Sequence, residues 1–375
     1  MSLTQGPEGF LLLEDGRSWR GVFAGTVDAV GEIVFTTNLT GYQEVLTDPS
    51  FAGQIVVMTA PMIGNYGTTP VDSQAASPWV AGFVVRELSR ATSGWRATDG
   101  LRSYLQDHRI PVLEGVDTRS VTRHIRERGA MRGLIAPADV EPREGLRRLT
   151  EHPPMQGLDL ATGVSTRESY TIPAAGTERG LVVCLDYGVK RRSLELIAGE
   201  GFRVEVVPAG TTSDRVLARQ PSGIFVSNGP GDPAAVAGAA EAVRSLSDAG
   251  LPVFGICLGC QIVARAFGGR TYKLPYGHRG GNHPVRNLET GSVEITSQNH
   301  GFAIAEDDGA AEGAPHLRVT HRNLNDGTVE GLAHSERPVF AVQYHPEAAP
   351  GPHDSRYLFR RFIESMDATS AVPTG

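Results

Sequence analysis

Residues 253–267 read VFGICLGCQIVARAF, and this stretch decides the fold expected for the second half of the chain. Its first four residues, Val253–Ile256, form an apolar run typical of a buried strand, and Gln261–Phe267 has helical spacing. The Gly-x-Cys-x-Gly turn at Gly255–Gly259 lies between them, as in turns that raise a nucleophile above a sheet. The stretch therefore predicts an α/β fold in which Cys257 lies beyond the carboxyl end of a strand.

The surrounding sequence alternates apolar runs with helical segments. Predicted strands at Leu181–Leu185, Val204–Val207 and Ile224–Val226 are separated by predicted helices such as Arg191–Ala198 and Ala234–Ser247. Because strands separated by helices pair in parallel through right-handed crossovers, the pattern predicts a doubly wound, mostly parallel open sheet. Shorter strands are predicted farther along, at Ser292–Thr296, Leu317–Thr320 and Val339–Gln343.

The first half of the chain has a different pattern. Short β-type runs at Gly31–Thr36, Gln54–Thr59 and Gly82–Val85 are separated by clusters of turn residues. One helix is predicted at Thr118–Arg128, after the candidate N-cap Asp117. These features predict a separate N-terminal α+β domain, of the swivelling β/β/α type.

A chain of 375 residues is long enough for two domains, each with its own core. Because Pro, Gly, Thr and Ser accumulate between Glu151 and Arg179, we expect the N-terminal domain at 1–150 and a linker at 151–179. We expect the doubly wound domain at 180–366, followed by a loose tail of small and polar residues at 367–375.

Charge and composition argue against several classes of protein. A formal net charge of −7 disfavours binding to nucleic acids and to anionic membrane surfaces. The apolar run Phe10–Leu13 is too short for a signal-peptide core, and no stretch reaches the length of a membrane span, so we expect a cytoplasmic protein. The three cysteines, Cys184, Cys257 and Cys260, are too few for a disulfide framework, which leaves burial or chemistry as their role.

Cys257 has the setting of an activated thiol. The predicted helix after it points backbone N–H groups and the positive end of its dipole at the sulfur, which favours a thiolate and a developing oxyanion. A small buried cysteine in an ordinary strand-to-helix turn would show the same short pattern. This stretch alone leaves both interpretations open.

A candidate base and an acid to orient it occur late in the chain. The apolar strand Phe340–Tyr344 ends at His345, and Glu347 follows two residues later, where its carboxylate could accept a hydrogen bond from the ring. A single histidine is more often a satisfied polar residue, so His345 gains its interest from being combined with Cys257.

Two polar loops complete the candidate site. Ser227–Pro233 follows the third predicted strand, and the Gly231 N–H could form an oxyanion hole together with the Leu258 N–H. Gln298–Phe302 is polar, contains a glycine, and taken alone predicts a turn.

These segments together resemble the class I, triad-type glutamine amidotransferases, which have an elbow cysteine followed by Leu-Gly and a glutamine (here Gln261), an SNGPGDP loop and a terminal HPE. The resemblance extends from about Gly9 to Ile363 and narrows to the carbamoyl-phosphate synthase small-chain family. The segments that carry it are Thr40–Ser50, Gly115–Arg119, Gly280–Val285, Gln298–Phe302, His345–Ala348 and Pro350–Asp354. Short Gly-x-Cys-x-Gly matches are weak evidence, whereas this ordered set spanning both halves is specific.

The resemblance implies a reaction and a set of site residues. Cys257 would be the nucleophile, His345 the base and Glu347 its orienting acid in the hydrolysis of L-glutamine through a γ-glutamyl thioester. Glutamine would be held by Ser50, Gly229, Gly231, Leu258, Gln261, Asn299, Gly301 and Phe302. Many relatives have His where this chain has Cys260, a departure that gives no reason to expect loss of activity.

The resemblance also implies a partner. The family pairs this chain with a carbamoyl-phosphate synthase large chain, which binds ATP, bicarbonate and magnesium and receives ammonia through an internal channel. The product, carbamoyl phosphate, serves pyrimidine and arginine biosynthesis. Because the chain has no Gly-x-x-x-x-Gly-Lys-Ser/Thr motif, we expect ATP and Mg on the large chain. The implied thioester chemistry requires no metal, so we expect no cofactor and no metal in this chain. The resemblance leaves open whether these heterodimers assemble into higher oligomers.

Three other functions fit parts of the sequence. Another amidotransferase of the same class would keep the triad but lack Thr40–Ser50. A thiol oxidoreductase is suggested by Cys257-x-x-Cys260 at a helix start, but Gly255 and the later HPE argue against it. A non-catalytic binding or regulatory subunit would need a broken triad, which this sequence does not show.

The sequence prompts two further hypotheses about individual residues. Peroxide could join Cys257 to Cys260 in a disulfide that reversibly stops glutamine hydrolysis. Lys190 is one of 2 lysines in a chain with 33 arginines, and it follows Asp186-Tyr187-Gly188. This placement would meet a need for a compact ammonium rather than a planar guanidinium.

Overall fold

The computed structural model describes residues 6–25 and 27–370, with the side chain of Ser370 left out. The chain forms two compact units. The first runs to Leu158 and also contains Pro275–Gly280, and the second contains Asp159–Leu274 and continues from Gly281. The change of unit after Leu158 falls inside the segment 151–179 that was expected to be a linker.

The described part of the first unit is built on a closed barrel, with strand order β1-β2-β6-β5-β4-β3-β7. Its strands are β1 (Glu8–Leu13), β2 (Ser18–Ala24), β3 (Ala29–Thr36), β4 (Gln54–Met58), β5 (Gly82–Val85), β6 (Val112–Glu114) and β7 (Met131–Pro137). Its helices are α1 (Tyr42–Thr47), α2 (Leu101–Asp107), α3 (Thr118–Arg128) and α4 (Pro142–Glu151), with a 3-10 helix at Pro49–Phe51.

Strand β4 shows why this unit needs both a barrel and helices outside it. Ile55 and Val57 belong to one buried apolar cluster, whereas Val56 and Met58 belong to another. Successive strand residues point to opposite faces, so β4 is buried on both faces. The second cluster also contains Leu101 of α2, which shows that a helix covers one face.

The described part of the second unit is built on a 12-stranded sheet with a parallel centre, β10-β9-β11-β12-β19. Its strands are β8 (Tyr170–Ile172), β9 (Gly180–Asp186), β10 (Phe202–Pro208), β11 (Gly223–Val226), β12 (Val253–Ile256), β13 (Thr271–Asn287), β14 (Val293–Ile304), β15 (Glu306–Asp307), β16 (Ala310–Ala311), β17 (Ala314–Asn323), β18 (Val329–His334) and β19 (Val339–Val342). Its helices are α5 (Ala161–Val164), α6 (Arg191–Gly199), α7 (Ser213–Leu217), α8 (Ala239–Asp248), α9 (Leu258–Ala266) and α10 (Tyr357–Ser370). Strand β13 includes Pro275–Gly280, which belong to the first unit.

The parallel centre is covered on both faces. Along β9, Val183 and Leu185 belong to one apolar cluster and Val182 and Cys184 to another. The first cluster contains side chains of α8 and α9, and the second contains side chains of α6 and α10. Helices therefore pack on both sides of the sheet, which confirms the predicted doubly wound fold.

Several predicted boundaries differ from the structure. Gln298–Phe302, predicted as a turn, lies within the long strand β14. The helix predicted from Ala234 begins only at Ala239, because Gly238 has a left-handed φ of 73° that interrupts the helix. Of the tail expected at 367–375, residues 367–370 continue α10, where Met366 is buried, and 371–375 lie outside the described residues.

Candidate active site

Cys257 occupies a strained turn between β12 and α9. Its backbone has φ 55° and ψ −107°, and its N–H donates to Val342 O at 2.8 Å. Positive φ is costly for a residue with a side chain and is found most often at functional sites. The turn needs a glycine at position 259, because a Cβ on Gly259 would lie 2.1 Å from Val226 O. The chain therefore folds here as a nucleophile elbow.

His345 and Glu347 form a hydrogen-bonded pair just beyond the end of β19. His345 Nδ1 lies 2.7 Å from Glu347 Oε1, and the two residues are 2% and 0% exposed. The backbone of His345 is held as well, since its N–H donates to Ser297 O at 2.8 Å. The opposite ring nitrogen, Nε2, makes no well-formed hydrogen bond with any described residue, which leaves it available to a thiol or a substrate.

The charges around His345 favour its protonated form. Burial by itself lowers the pKa of His345, and the Lys190 ammonium acts in the same direction. The Glu347 carboxylate and the Cys257 sulfur outweigh them, so the pKa of His345 is raised above its usual value. The raised pKa favours the imidazolium form of His345 next to the sulfur of Cys257.

Lys190 binds the carboxylate that orients His345. Its Nζ lies 2.7 Å from Glu347 Oε1, and its side chain is buried. Burial alone would raise the pKa of the Glu347 carboxyl, but the charges of Lys190 and His345 lower it, and the net shift is downward. Glu347 is therefore a carboxylate that can hold His345 by both charge and hydrogen bonding.

Strand β14 and helix α9 bring further predicted residues to the sulfur. The Cys257 thiol donates to Asn299 O at 3.4 Å. Gln261 Nε2 donates to Phe302 O at 2.9 Å and to Gln343 Oε1 at 3.1 Å. Gly301 lies between Asn299 and Phe302 on the same strand. Asn299 and Gln261 therefore lie next to Cys257, and Phe302 is bonded to Gln261. The part of these residues and of Gly301 in glutamine binding stays a prediction.

The Ser227–Pro233 loop packs on the start of α9. A Cβ on Gly229 would lie 1.9 Å from Tyr187 O and 2.9 Å from Leu258 Cδ2, so only glycine fits there. Gly231 has a φ of 87°, which is also typical of glycine. Gly229 and Leu258 are thus neighbours, and the loop with Gly231 follows the strand adjacent to β12.

Ser50 belongs to the first unit. It lies in the 3-10 helix Pro49–Phe51, where its N–H donates to Asp48 Oδ1 at 2.9 Å and its side chain is buried. Its part in glutamine binding stays a prediction.

Comparisons with known proteins match both halves of the chain. Residues 11–135 match the family described as carbamoyl-phosphate synthase small chain, CPSase domain, and residues 183–365 match glutamine amidotransferase class-I. A carbamoyl phosphate synthase small chain from Chlorobaculum tepidum is 49% identical over 95% of this chain and 97% of that protein. The chain belongs to the carbamoyl-phosphate synthase small-chain family. Small chains from Synechococcus sp. and Thermus thermophilus are 47% and 48% identical, over 100% and 96% of this chain and 97% and 93% of those proteins.

Membership of the carbamoyl-phosphate synthase small-chain family identifies the reaction of the unit that contains the elbow. The second unit carries a class I glutamine amidotransferase domain, and the activity of such a small chain is glutamine hydrolysis. The match at 11–135 argues against another amidotransferase of the same class, as the segment Thr40–Ser50 had indicated. The family also outweighs the thiol oxidoreductase alternative based on Cys257 and Cys260.

Sequence reasoning missed some residues of this small-chain site. Gln343 accepts a hydrogen bond from Gln261, and the carbonyl of Tyr187 lies against Gly229. Both residues directly follow a strand of the parallel centre, β19 and β9. Position at a carboxyl strand end is the signal that could have found them. Within the part of the chain that is described, no helix has the length and apolar character needed to cross a membrane.

Proposed function

We propose that Cys257, His345 and Glu347 hydrolyse L-glutamine by acyl transfer to the cysteine sulfur. The observation that carries this proposal is the strained elbow at Cys257 beside a histidine whose Nδ1 is bound to a buried carboxylate. A nucleophile, a base and an orienter in this order are the parts that thiol-based acyl transfer needs. Such chemistry uses protein groups and water, so we assign no cofactor to this chain.

The proposed reaction has two halves. In the first, His345 takes the thiol proton, the sulfur of Cys257 attacks the side-chain amide carbon of glutamine, and a tetrahedral oxyanion forms. The imidazolium then gives its proton to the leaving nitrogen as the C–N bond breaks, which releases ammonia and leaves a γ-glutamyl thioester. In the second, His345 activates a water that hydrolyses the thioester to glutamate and restores the thiol.

The oxyanion is proposed to bind the N–H groups of Gly231 and Leu258. The Leu258 N–H is at the start of α9, where the helix leaves its first N–H groups without an intrahelical acceptor. We assign the binding of glutamine itself to Ser50, Gly229, Gln261, Asn299, Gly301 and Phe302. The contacts of Cys257 with Asn299 and of Gln261 with Phe302 support this assignment for Asn299, Gln261 and Phe302.

We propose that the ammonia is delivered to a carbamoyl-phosphate synthase large chain in the cytoplasm. That partner would bind ATP, Mg and bicarbonate and make carbamoyl phosphate for pyrimidine and arginine biosynthesis. The names of the relatives, each the small chain of a synthase, support a division of labour between two chains. Assembly with the large chain is therefore required for the full reaction.

The decisive measurement is glutamate release from glutamine, by the chain alone and with a co-purified large chain. We expect the large chain to increase the rate. We expect Cys257→Ser to lower it by about a thousandfold or more, because the alcohol is a far weaker nucleophile in this setting. Cys184→Ser is the matched control, since Cys184 is a buried cysteine of β9 without a role in the proposed reaction.

Trapping provides a second readout. Acid quenching of the enzyme during turnover of labelled glutamine should leave one label per Cys257, and none in Cys257→Ser. Full activity in Cys257→Ser, or a label that survives this substitution, would contradict the proposed chemistry.

A further inference from the structure

Glu294 is a buried carboxylate near the start of β14, outside the proposed triad. It is 5% exposed, and it forms no ion pair with any residue that the structure describes. Burying a carboxylate without a cation is costly unless hydrogen bonds compensate for the lost water. Glu294 is therefore expected to depend on strong hydrogen bonds from its neighbours.

Three hydroxyl groups supply those hydrogen bonds. The Ser355 hydroxyl donates to Glu294 Oε2 at 2.6 Å, and the Tyr357 hydroxyl donates to Oε1 at 2.8 Å. The Tyr344 hydroxyl also donates to Oε2, over a longer distance of 3.5 Å. Burial raises the pKa values of Tyr344 and Tyr357, and the charge of Glu294 raises them further, so both stay protonated donors. The Tyr357 hydroxyl is itself oriented, because it accepts from Asn287 Nδ2 at 2.9 Å.

The three donors lie on both sides of the proposed base and its orienter. Tyr344 directly precedes His345, whereas Ser355 and Tyr357 follow Glu347. The segment 344–357 begins after β19 ends, and its last residue is the first residue of α10. One carboxylate therefore holds both ends of the segment that carries the base.

Strand β14 also holds the middle of this segment. Ser297 O accepts from the His345 N–H at 2.8 Å, and Ser297 Oγ donates to Pro350 O at 2.7 Å. Farther along the same strand, Asn299 O accepts from the Cys257 thiol at 3.4 Å. The strand that carries Glu294 therefore contacts both the histidine and the sulfur, and it sets the position of one relative to the other.

The backbone directly after Glu347 needs such support. Ala348 has a positive φ of 51°, which is costly for a residue with a side chain and persists only where surrounding contacts enforce it. Its N–H donates to His345 O at 3.1 Å, so this strained turn closes on the histidine itself. If the ends of the segment came loose, the turn could relax and His345 could move with it.

We propose that Glu294 is a positioning residue that holds the segment 344–357 against β14 and so keeps His345 aligned with the sulfur of Cys257. This inference rests on the proposed function and deepens it, because the aligned groups are the proposed base and nucleophile. Glu294 touches neither glutamine nor the reacting atoms in this assignment. Its loss should therefore lower kcat and leave the KM for glutamine nearly unchanged.

The test compares Glu294→Met with Glu294→Gln in the complex with the large chain. Methionine has a similar length but no strong acceptor, so we expect kcat for glutamine hydrolysis to fall about tenfold, with KM within about twofold of wild type. The amide oxygen of Glu294→Gln can still accept from Ser355, so this variant should lose only about threefold in kcat.

Glu289→Gln is the matched control. Glu289 also bonds to α10, through Arg361 Nη1 at 2.7 Å, but it is exposed and lies outside the network around Glu294. This variant should leave kcat and KM unchanged. A general loosening of α10 would instead affect both glutamate variants alike.

The rates must be corrected for the number of folded sites. Each kcat is therefore divided by the number of Cys257 thiols that glutamine protects from labelled iodoacetamide, counted by mass spectrometry. The rate of alkylation without glutamine is a second readout, and it requires no turnover. A misaligned His345 is a poorer base for the thiol, so Glu294→Met should slow alkylation severalfold at neutral pH. Glu289→Gln should not slow it.

A variant in the network replaces Glu294→Met if that protein does not fold. Ser355→Ala removes the shortest of the three hydrogen bonds and leaves the carboxylate with its tyrosine partners. We expect its kcat per site to fall about threefold, with slower alkylation of Cys257 and the same KM.

Two results would overturn the inference. One is Glu294→Met, or Ser355→Ala in its place, with kcat per site and alkylation rate both at wild-type values. The other is a change in kcat or KM with alkylation at the wild-type rate, which would show that His345 and Cys257 stay aligned without Glu294. Slower alkylation in Glu294→Met, in a complex whose wild type does not hydrolyse glutamine, would count against the proposed reaction and not against Glu294.

Discussion

At the scale of the residue, the backbone angle of Cys257 sets the position of the proposed nucleophile. Its φ of 55° is outside the range that residues with side chains normally adopt. That angle lets β12 end and α9 begin within one residue, with the sulfur between Asn299 and His345. Two residues later, Gly259 leaves room for Val226 O, so the strained turn is packed tightly enough to persist.

At the same scale, Cys260 has surroundings that differ from those of Cys257. Burial raises the pKa of the Cys260 thiol well above its usual value, and the nearby charges of Cys257 and Glu330 raise it further. Cys260 belongs to the apolar cluster on one face of the sheet, and Cys257 to the cluster on the other. A thiol that stays protonated is a poor nucleophile toward an oxidised Cys257.

We therefore expect that peroxide inactivates the wild type and Cys260→Ala at equal rates. Dithiothreitol should restore both equally, since the reversible product would be a sulfenic acid on Cys257. The measurement is residual glutaminase activity after timed peroxide exposure, with Cys184→Ala as the control. Loss of recovery confined to Cys260→Ala would instead support the Cys257–Cys260 disulfide suggested by the sequence.

At the scale of elements, the order of the strands in the sheet brings the site residues together. Strands β9, β11, β12 and β19 are consecutive neighbours in the sheet. The residues after their carboxyl ends supply, in turn, Lys190, the loop with Gly229, Cys257, and His345 with Glu347. Parallel strands present their carboxyl ends at one edge, so residues far apart in sequence meet there.

Strand β17 carries a buried histidine that should make the second unit sensitive to acid. Burial lowers the pKa of His321 to about 4, against an ordinary value of 6.5. Between these values the unfolded chain binds a proton that the folded chain does not, so stability falls as the pH falls. Near pH 5 this one residue should cost about 2 kcal/mol relative to pH 7.

Between pH 7 and pH 5, we expect the free energy of unfolding to fall by about 2 kcal/mol less in His321→Asn than in the wild type. The measurement is the free energy of unfolding from urea titrations at the two pH values. His316→Asn is the control, because His316 lies exposed on the same strand and should leave the pH dependence unchanged. An equal acid dependence in His321→Asn and wild type would contradict the burial argument.

At the scale of the whole molecule, the chain passes between its two units three times. It changes unit after Leu158, after Leu274 and after Gly280, and the last two changes lie within the single strand β13. Loss of the second unit would leave a strand that the first unit also uses without its sheet partners. The two units should therefore unfold as one cooperative system.

All three tryptophans, Trp19, Trp79 and Trp95, lie in the first unit, which makes this expectation measurable. Phe254, in the second unit, is 0% exposed and stacks on Phe340 with ring centroids 4.6 Å apart. Phe254→Ala should cost about 3 to 5 kcal/mol. We expect it to lower the urea midpoint of tryptophan fluorescence and of circular dichroism together. As a control, Leu288→Ala, at an exposed position of the second unit, should change neither urea midpoint. A tryptophan-fluorescence midpoint that Phe254→Ala leaves unchanged would show that the two units unfold independently.

The sequence by itself determined the strand-and-helix order of the second half and pointed to the three residues of the proposed triad. Local information suffices for these, because apolar runs, helical spacing and the Gly-x-Cys-x-Gly turn act through neighbouring residues. The helix at Thr118–Arg128 and the strands Val253–Ile256 and Gly82–Val85 have their predicted bounds for the same reason.

Only the tertiary structure decided how those parts combine. The barrel of the first unit closes through the pairing of β1 with β7, and Gln298–Phe302 becomes strand because it pairs within the large sheet. The contact of Lys190 with Glu347 joins residues from opposite ends of the second unit. Such contacts depend on pairing between distant segments and on burial, which no local pattern specifies. That is why a lone lysine could be noticed in the sequence, while its partner could only be found in the fold.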